Sequence, residues 1–299
     1  MGIISKTYKY FFYLPLDRLI FYIAIKTNGK IYQLLFNLFS LIKKSPNRIY
    51  FKENYYYNTE IKWRFYHRKQ GLYAYGGGFK KRKNELLSTY LIKNLEFKDD
   101  DVVIDVGANN GDFYLCFDKK IKYYAYEPSP VVFSNLEYNV KNQNLYNLGL
   151  SNSDDSKIDF YLKDEFGDSS ILPINNYTKK ISLETTTLDK EIDKIQQRIK
   201  LIKLEAEGFE PEILHGLKKY LNSVEYITID CGFERGVKQE STIAECSNYL
   251  IKNNFKMINF GAPRIVTLFK NLDIWFCYKL SIILLILFST TSEFRNLGT

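Results

Sequence analysis

Short apolar segments alternate with amphipathic helical segments along the chain from about residue 98. This alternation predicts a mostly parallel β-sheet that is covered by helices on both faces. Apolar residues at positions 213, 214, 217 and 221 follow Pro211, which predicts a helix that begins near this proline. The predicted strands are Val102–Val106, Lys122–Glu127, Leu145–Leu150, Ile199–Glu205, Tyr226–Asp230, Phe255–Phe260 and Ile265–Phe269.

The first predicted strand ends in Asp105–Gly111, which reads D-V-G-A-N-N-G and directly precedes a helical pattern. A dinucleotide-binding turn would read G-x-G-x-x-G, with a glycine that lets the backbone approach a pyrophosphate. The spacing here is D-x-G-x-x-x-G, which is typical of sites for S-adenosylmethionine, a nucleoside that carries an amino acid and no phosphate. The alternative is an ordinary strand-to-helix turn of an α/β protein.

Acidic residues also stand at the ends of later strands. Ligands of open α/β sheets bind outside the carboxyl ends of the strands, so these acids are candidates for one crevice. Glu127 ends the second strand, where a carboxylate can accept hydrogen bonds from both hydroxyls of a ribose. Its alternative role is to complement the dipole at a helix N-terminus. The fourth strand leads into Lys203, Glu205 and Glu207, and Asp230 ends the fifth.

Several separated stretches, in the same order, resemble the FkbM-type methyltransferases. The resemblance covers about residues 72–278, and position 205 is Glu where many family members have Asp. The stretches are Val103–Asn109, Glu127–Pro130, Gly167–Ser170, Thr187–Asp189, Lys203–Leu214 and Asp230–Gly236.

This resemblance implies a class I methyltransferase fold, which is Rossmann-like and doubly wound around a mostly parallel seven-stranded sheet. It implies S-adenosylmethionine as the methyl donor. It also implies O-methylation of a hydroxyl on a sugar, a glycan such as a surface polysaccharide or glycolipid, or a related metabolite. The cofactor-binding residues that it implies are Asp105, Gly107, Ala108, Asn109, Gly111, Glu127, Pro128, Asp168 and Ser169.

A hydroxyl is a poor nucleophile until its proton is removed, so O-methylation needs a general base or a bound divalent cation beside the acceptor. We expect Glu205 or Asp230 to be that base, or both together to hold one hard cation through their oxygens. We expect Lys203 and Glu207 to orient the acceptor. The chain has two histidines, which excludes a metal site built from several histidines.

The net charge of +8 lies entirely in residues 1–52, which contain nine basic side chains and one acidic one. The other 33 basic and 33 acidic residues cancel, which argues against a nucleic-acid partner or substrate. The basic stretch is rich in aromatic and aliphatic residues, but it has no apolar run of the roughly 20 residues that span a bilayer. It is predicted to be helical. It would either contact an anionic membrane peripherally or pack on its own domain or on the second subunit of a homodimer.

Four regions are expected: a basic helical extension at 1–52, a lead-in segment at 53–97, a methyltransferase domain at 98–279 and an apolar tail at 280–299. The apolar run at 280–288 is too short to span a bilayer and could be a terminal helix, a membrane-touching tail or a dimer contact.

Four cysteines without a C-x-x-C pair predict reduced thiols. No A-x-A-like cleavage site follows the first apolar block. The expected location is the cytoplasm, at the inner face of the membrane if the extension binds lipid.

A different class of function is a membrane-associated binding protein that keeps this fold without turnover. Asp105, Gly107, Glu127 and Glu207 are all present, and an active donor and acceptor site would need them. Their presence favours an enzyme over a binding protein.

Overall fold

The computed structural model describes residue 16 and residues 18–154, 156–163 and 169–274 of the 299-residue chain. The predictions for residues 1–15, for Asp168 and for the apolar run at 280–288 therefore concern residues outside the described ranges. Within these ranges, no helix is both long enough and apolar enough to cross a membrane.

The first third of the chain forms helices and a small sheet. Residues 18–24 are helical. They are followed by α1 (Gly29–Ile42), β1 (Ile49–Lys52), β2 (Tyr55–Asn58), β3 (Arg64–Phe65), α2 (Arg68–Tyr75) and α3 (Phe79–Thr89). Strands β1, β2 and β3 pair in that order as an antiparallel sheet.

The rest of the described chain continues with strands and helices. In order they are β4 (Val102–Val106), a 3₁₀ helix (Asp112–Cys116), β5 (Lys122–Tyr126), α4 (Pro130–Asn139), β6 (Asn144–Tyr146), β7 (Gly149–Leu150), β8 (Ser156–Leu162), β9 (Lys179–Thr186), α5 (Leu188–Ile195), β10 (Ile199–Leu204), α6 (Glu210–His215), a second 3₁₀ helix (Leu221–Ser223), β11 (Val224–Asp230), β12 (Phe233–Arg235), β13 (Glu240–Ser241), α7 (Ile243–Lys252), β14 (Phe255–Gly261) and β15 (Val266–Asn271).

Seven strands form the central sheet in the order β14-β15-β11-β10-β4-β5-β6. Strand β15 is antiparallel to both of its neighbours, and the other six run in one direction. The predicted α/β class and the mostly parallel seven-stranded sheet are confirmed. The strand order reverses at β4, and such a switch point is where open α/β sheets bind ligands.

Two hydrophobic cores lie against the central sheet. All five residues of β4 are buried, with Val103 in one core and Ile104 in the other. The core that contains Val103 also contains Tyr32 and Phe36 of α1, so the N-terminal helices complete one face of the domain. The core that contains Ile104 is shared with α5, α6 and α7.

One predicted strand is wrong. Leu145–Leu150 forms two short strands, because β6 joins the central sheet whereas β7 pairs with β9 in a separate sheet of order β7-β9-β8. Asn147 lies between them, and its side-chain amide donates to the carbonyl oxygens of Glu127 and Pro128 at 2.8 and 3.0 Å, which turns the chain. The helix predicted at Pro211 is confirmed as α6.

Candidate active site

The turn after β4 requires glycine at position 107. The φ angle of Gly107 is +73°, and a Cβ atom there would lie 1.8 Å from the carbonyl oxygen of Glu205. The amides of Gly107 and Ala108 both donate to the carbonyl oxygen of Tyr126, at 3.0 and 3.1 Å. The turn is therefore fixed between the ends of β5 and β10.

A cavity of about 380 Å³ opens at the carboxyl ends of β4, β5 and β10. This volume falls within the roughly 300–1,000 Å³ that is common for small-ligand sites. Asp105 and Asp230 are almost completely buried and are not in its lining, and Gly111 packs against Leu136 and Val140. The predicted site residues that do line it are Gly107, Ala108, Asn109, Glu127, Pro128, Ser169, Lys203, Glu205 and Glu207.

The Glu127 carboxylate joins the glycine turn to the start of α4. One of its oxygens accepts a hydrogen bond from the Asn109 amide at 2.9 Å, and the other accepts one from the Ser129 amide at 2.8 Å. Burial raises the pKa of Glu127 to about 7, although these two amides lower it. A carboxylate has about four lone-pair sites, so two remain for a ligand in the cavity.

Lys203 and Asp105 form a buried ion pair beneath the turn. The register of β10 on β4 places these residues side by side, with Nζ of Lys203 3.0 Å from Oδ1 of Asp105. The same ammonium donates to the carbonyl oxygens of Val106 and Gly107 at 3.3 and 2.8 Å. Burial alone would lower the pKa of Lys203, but the Asp105 carboxylate and other neighbours raise it well above its usual value. Lys203 is therefore a permanent cation that supports the turn.

A guanidinium connects the two predicted base candidates. Arg264, in the loop between β14 and β15, forms ion pairs with both Glu205 and Asp230. Glu205 also accepts a hydrogen bond from the Tyr90 hydroxyl and lies 3.0 Å from Nζ of Lys203. Burial would raise the pKa of Glu205, but Arg264 and Lys203 hold it well below its usual range. Glu205 is therefore a firmly ionised, fully paired carboxylate.

Asp230 differs from Glu205 in the direction of its pKa shift. Burial and the negative charge of Glu205 raise the pKa of Asp230, and Arg264 opposes this shift. One oxygen of Asp230 pairs with Arg264, and the other accepts a hydrogen bond from the Gly232 amide at 3.1 Å.

Glu234 is a cavity residue that sequence reasoning did not single out. It lies on β12, lines the cavity and is close to the ion pairs of Arg264. Burial raises the pKa of Glu234 to about 8, helped by the charges of Asp230 and Glu205 and opposed by Arg264. A carboxyl group with this pKa can take up or release a proton near neutral pH. The signal available in the sequence was an acid four residues after a strand-end aspartate.

Glu207 lines the cavity from a tightly held loop between β10 and α6. Its φ angle is +51°, and its carbonyl oxygen accepts a hydrogen bond from the Ser170 hydroxyl at 3.0 Å. The buried carboxylate of Glu210 accepts hydrogen bonds from the Ala206 and Gly208 amides at 2.8 and 3.2 Å. The loop therefore presents Glu207 to the cavity on a fixed backbone.

The N-terminal helices also contribute to the cavity. Tyr75 and Arg82 both bind the Asp112 carboxylate, at 2.6 and 2.8 Å, which ties α2 and α3 to the helix after the glycine turn. Phe21 and Tyr73 line the side of the cavity that faces these helices. In the sequence these residues belong to a stretch rich in aromatic and basic side chains, and nothing there assigns them to a site. Only the fold brings them to the cavity.

The expected cation between Glu205 and Asp230 stays a prediction. Within the described residues, no group of three or more His, Cys, Asp or Glu side chains could hold a metal ion. The positive charge next to both carboxylates is that of Arg264.

The chain has measurable similarity to several known proteins. Among solved structures, the chain is similar to a magnesium protoporphyrin IX methyltransferase from Synechocystis with bound S-adenosylmethionine, at 9% identity and a TM-score of 0.37, covering 68% of this chain and 83% of that one. It is also similar to a TehB-like SAM-dependent methyltransferase from Corynebacterium glutamicum, at 11% identity and a TM-score of 0.37, covering 64% and 95%.

One curated relative is a hexuronic acid methyltransferase from Haloferax volcanii, which is 28% identical over 150 residues. The match covers 45% of this chain and 57% of the relative, so the chain spans little more than half of the relative's length. The family model described as the FkbM methyltransferase domain matches residues 105–257, which is about half of the chain and includes Glu127, Glu205 and Glu234. The chain belongs to the FkbM methyltransferase family.

Proposed function

We propose that this protein transfers a methyl group from S-adenosylmethionine to a hydroxyl of a sugar or glycan. The observation that carries the proposal is the Glu234 carboxyl group, which shares one cavity with the glycine turn and Glu127. The family supports the methyl donor. The Haloferax volcanii relative is named for a hexuronic acid, and this supports a sugar acceptor.

The donor half of the cavity fits S-adenosylmethionine, which supplies an electrophilic methyl group on its sulfonium when bound. Glu127 keeps lone pairs free after accepting the Asn109 and Ser129 amides, and these can accept both ribose hydroxyls. Gly107 lets the turn pack closely on the end of β10, because any side chain there would collide with the backbone of Glu205. Lys203 holds the turn in place through its contacts with Asp105 and the turn carbonyls.

The acceptor half supplies the base. Glu234 in its carboxylate form takes the proton of the acceptor hydroxyl, and the oxygen forms a bond to the methyl carbon. S-adenosylmethionine, when bound, would supply this methyl carbon and would leave as a neutral thioether that keeps the electron pair of the former carbon–sulfur bond. Arg264, Glu205 and Asp230 are positioning residues, because their ion pairs fix the charges that set the proton affinity of Glu234. Glu207 orients the acceptor from its loop.

A base in the cavity supports a hydroxyl acceptor over a carboxylate acceptor. A carboxylate is already an anion near neutral pH and would need no proton acceptor. A hydroxyl needs one, and general-base assistance contributes roughly 10²–10⁴ in rate. A cavity carboxyl with a pKa of about 8 therefore favours O-methyl ether formation over ester formation.

The test is mass spectrometry of glycans from cells that produce the protein or its Glu234→Gln variant. We expect one added CH₂ unit on a sugar with the wild-type protein and at least a hundredfold less with the variant, while binding of S-adenosylmethionine is unchanged. Glu240→Gln is the matched control, because Glu240 is exposed on the neighbouring strand β13. Full methylation by Glu234→Gln, or equal loss in the Glu240 control, contradicts the proposed base.

A further inference from the structure

The outer surface of the N-terminal helices is apolar. On α1, Tyr32 and Phe36 are buried in the core, yet Ile31, Leu34 and Leu38 on the other side are 62%, 69% and 43% exposed. A surface helix of a globular protein ordinarily presents polar residues to solvent on this side. The three positions follow i, i+3 and i+7 spacing, so they form one stripe along the helix.

The preceding helical segment extends this surface. Leu19, Tyr22 and Ile23 are 54%, 56% and 41% exposed. The two helices contact each other through Phe21 and Phe39, whose ring centroids are 6.3 Å apart. Several large apolar side chains exposed on two packed helices are typical of an interaction site.

The charge around this surface has one sign. Residues 18–52 contain seven basic side chains and no acidic one. Lys30 is exposed at the start of α1, and Lys43 and Lys44 are exposed just after its end. A second copy of the chain would bring like charges together on this face. An anionic bilayer would instead complement the charge and take up the apolar stripe.

We propose that residues 18–44, the docking surface, bind the chain peripherally to an anionic lipid bilayer, with the α1 stripe inserted at the level of the headgroups. Phe21 lies on this segment and also lines the cavity, so the cavity opens close to the bilayer. Resting on the proposed function, this placement selects an acceptor sugar that is attached to a lipid.

Sedimentation with vesicles tests the docking surface in the full chain. The vesicles contain phosphatidylcholine alone or mixed with phosphatidylserine. Binding should require phosphatidylserine and weaken with added salt. A Lys30→Gln, Lys43→Gln, Lys44→Gln variant should bind about a hundredfold more weakly, because each lysine near an anionic surface contributes about fivefold.

The apolar stripe is tested with Leu34→Ser and Leu38→Ser together. Deletion of residues 1–52 would be no test of membrane binding, because it would remove Tyr32 and Phe36 from the core. The matched control is Ile251→Ser with Lys252→Gln, an exposed apolar and basic pair on α7. We expect the control to bind like the wild type and the stripe variant to lose binding with an unchanged melting temperature.

The proposal is overturned if the stripe variant or the lysine variant binds vesicles as well as the wild type does. A second result would also overturn the proposal: the protein does not bind vesicles and instead forms a concentration-dependent dimer that these variants abolish. The docking surface would then contact a second copy of the chain. Vesicle binding needs no methyl donor, so its failure is distinct from a failure of methyl transfer.

Discussion

Replacing Gly107 by alanine should disable the donor half of the site. The added Cβ would lie 1.8 Å from the carbonyl oxygen of Glu205, whereas real Cβ contacts essentially never fall below 3.0 Å. The turn and the end of β10 must then separate by more than an ångström. Two backbone hydrogen bonds join this region, from the Glu205 amide to Val106 at 3.1 Å and from the Gly107 amide to Tyr126 at 3.0 Å.

The magnitude follows from two costs. An L-residue at the φ angle of Gly107, +73°, costs about 1–2 kcal/mol. Losing or stretching two buried backbone hydrogen bonds costs about 1–3 kcal/mol for each group left unpaired. We therefore expect Gly107→Ala to lower the free energy of unfolding by about 3–8 kcal/mol and to abolish measurable binding of S-adenosylmethionine.

The matched control is Gly236→Ala. The φ angle of Gly236 is +62°, and a Cβ atom there would meet nothing within 4 Å, so only the conformational cost remains. Urea unfolding gives the stability of both variants, and isothermal titration gives their affinity for S-adenosylmethionine. If Gly107→Ala loses no more stability than Gly236→Ala and binds the cofactor like the wild type, the close packing of the turn does not define the donor site.

Three further predictions concern the charged groups. The kcat/KM should rise about fivefold from pH 7 to pH 8, because Glu234, with a pKa of about 8, is unprotonated in about one molecule in ten at pH 7 and in half at pH 8; a flat profile contradicts its role as base. Lys203→Met should lower the free energy of unfolding by about 3–5 kcal/mol in urea, because it leaves the buried Asp105 carboxylate without its cation; a loss near zero would show that Asp105 is neutral. Glu127→Gln should weaken S-adenosylmethionine binding about 10- to 100-fold in isothermal titration, since a charged acceptor of ribose hydroxyls is lost; unchanged affinity would remove Glu127 from the ribose site.

The residues around the glycine turn could be identified from sequence because their signals are local. Asp105, the two glycines and the helix after them lie within one short stretch, and Glu127 ends the next strand. The parallel sheet then brings both strand ends to one edge without further information. The structure adds that Asp105 lies beneath the turn and pairs with Lys203, whose ammonium contacts the turn.

The ion pairs around Arg264 could not be predicted in this way. Arg264 reaches Glu205 and Asp230 from a loop that is 59 and 34 positions distant in sequence, and Tyr90 reaches Glu205 across 115 positions. Such contacts decide which acid is a fixed ion and which can exchange a proton. The sequence indicated the acids at the strand ends but could not place a guanidinium on two of them, and it therefore gave Glu234 no role.

The N-terminal extension illustrates the same limit. Its pattern of aromatic and basic residues was compatible with packing on the domain or with a membrane surface. The structure shows which residues of the extension pack on the domain and which do not: Tyr32 and Phe36 pack in the core, whereas Ile31 and Leu34 are exposed. Because apolar residues lie on both sides of α1, the hydrophobic periodicity of its sequence could not show which side faces the core.

The most direct test of methyl transfer to a sugar hydroxyl uses S-adenosylmethionine with a labelled methyl group and glycolipid extracted from the producing cells. After incubation with the purified protein, the carbohydrate is treated with mild alkali, which cleaves methyl esters and leaves methyl ethers intact. We predict label that stays on the sugar after this treatment and that is lost with Glu234→Gln. Label released as methanol, or no label in carbohydrate, would contradict the proposed function.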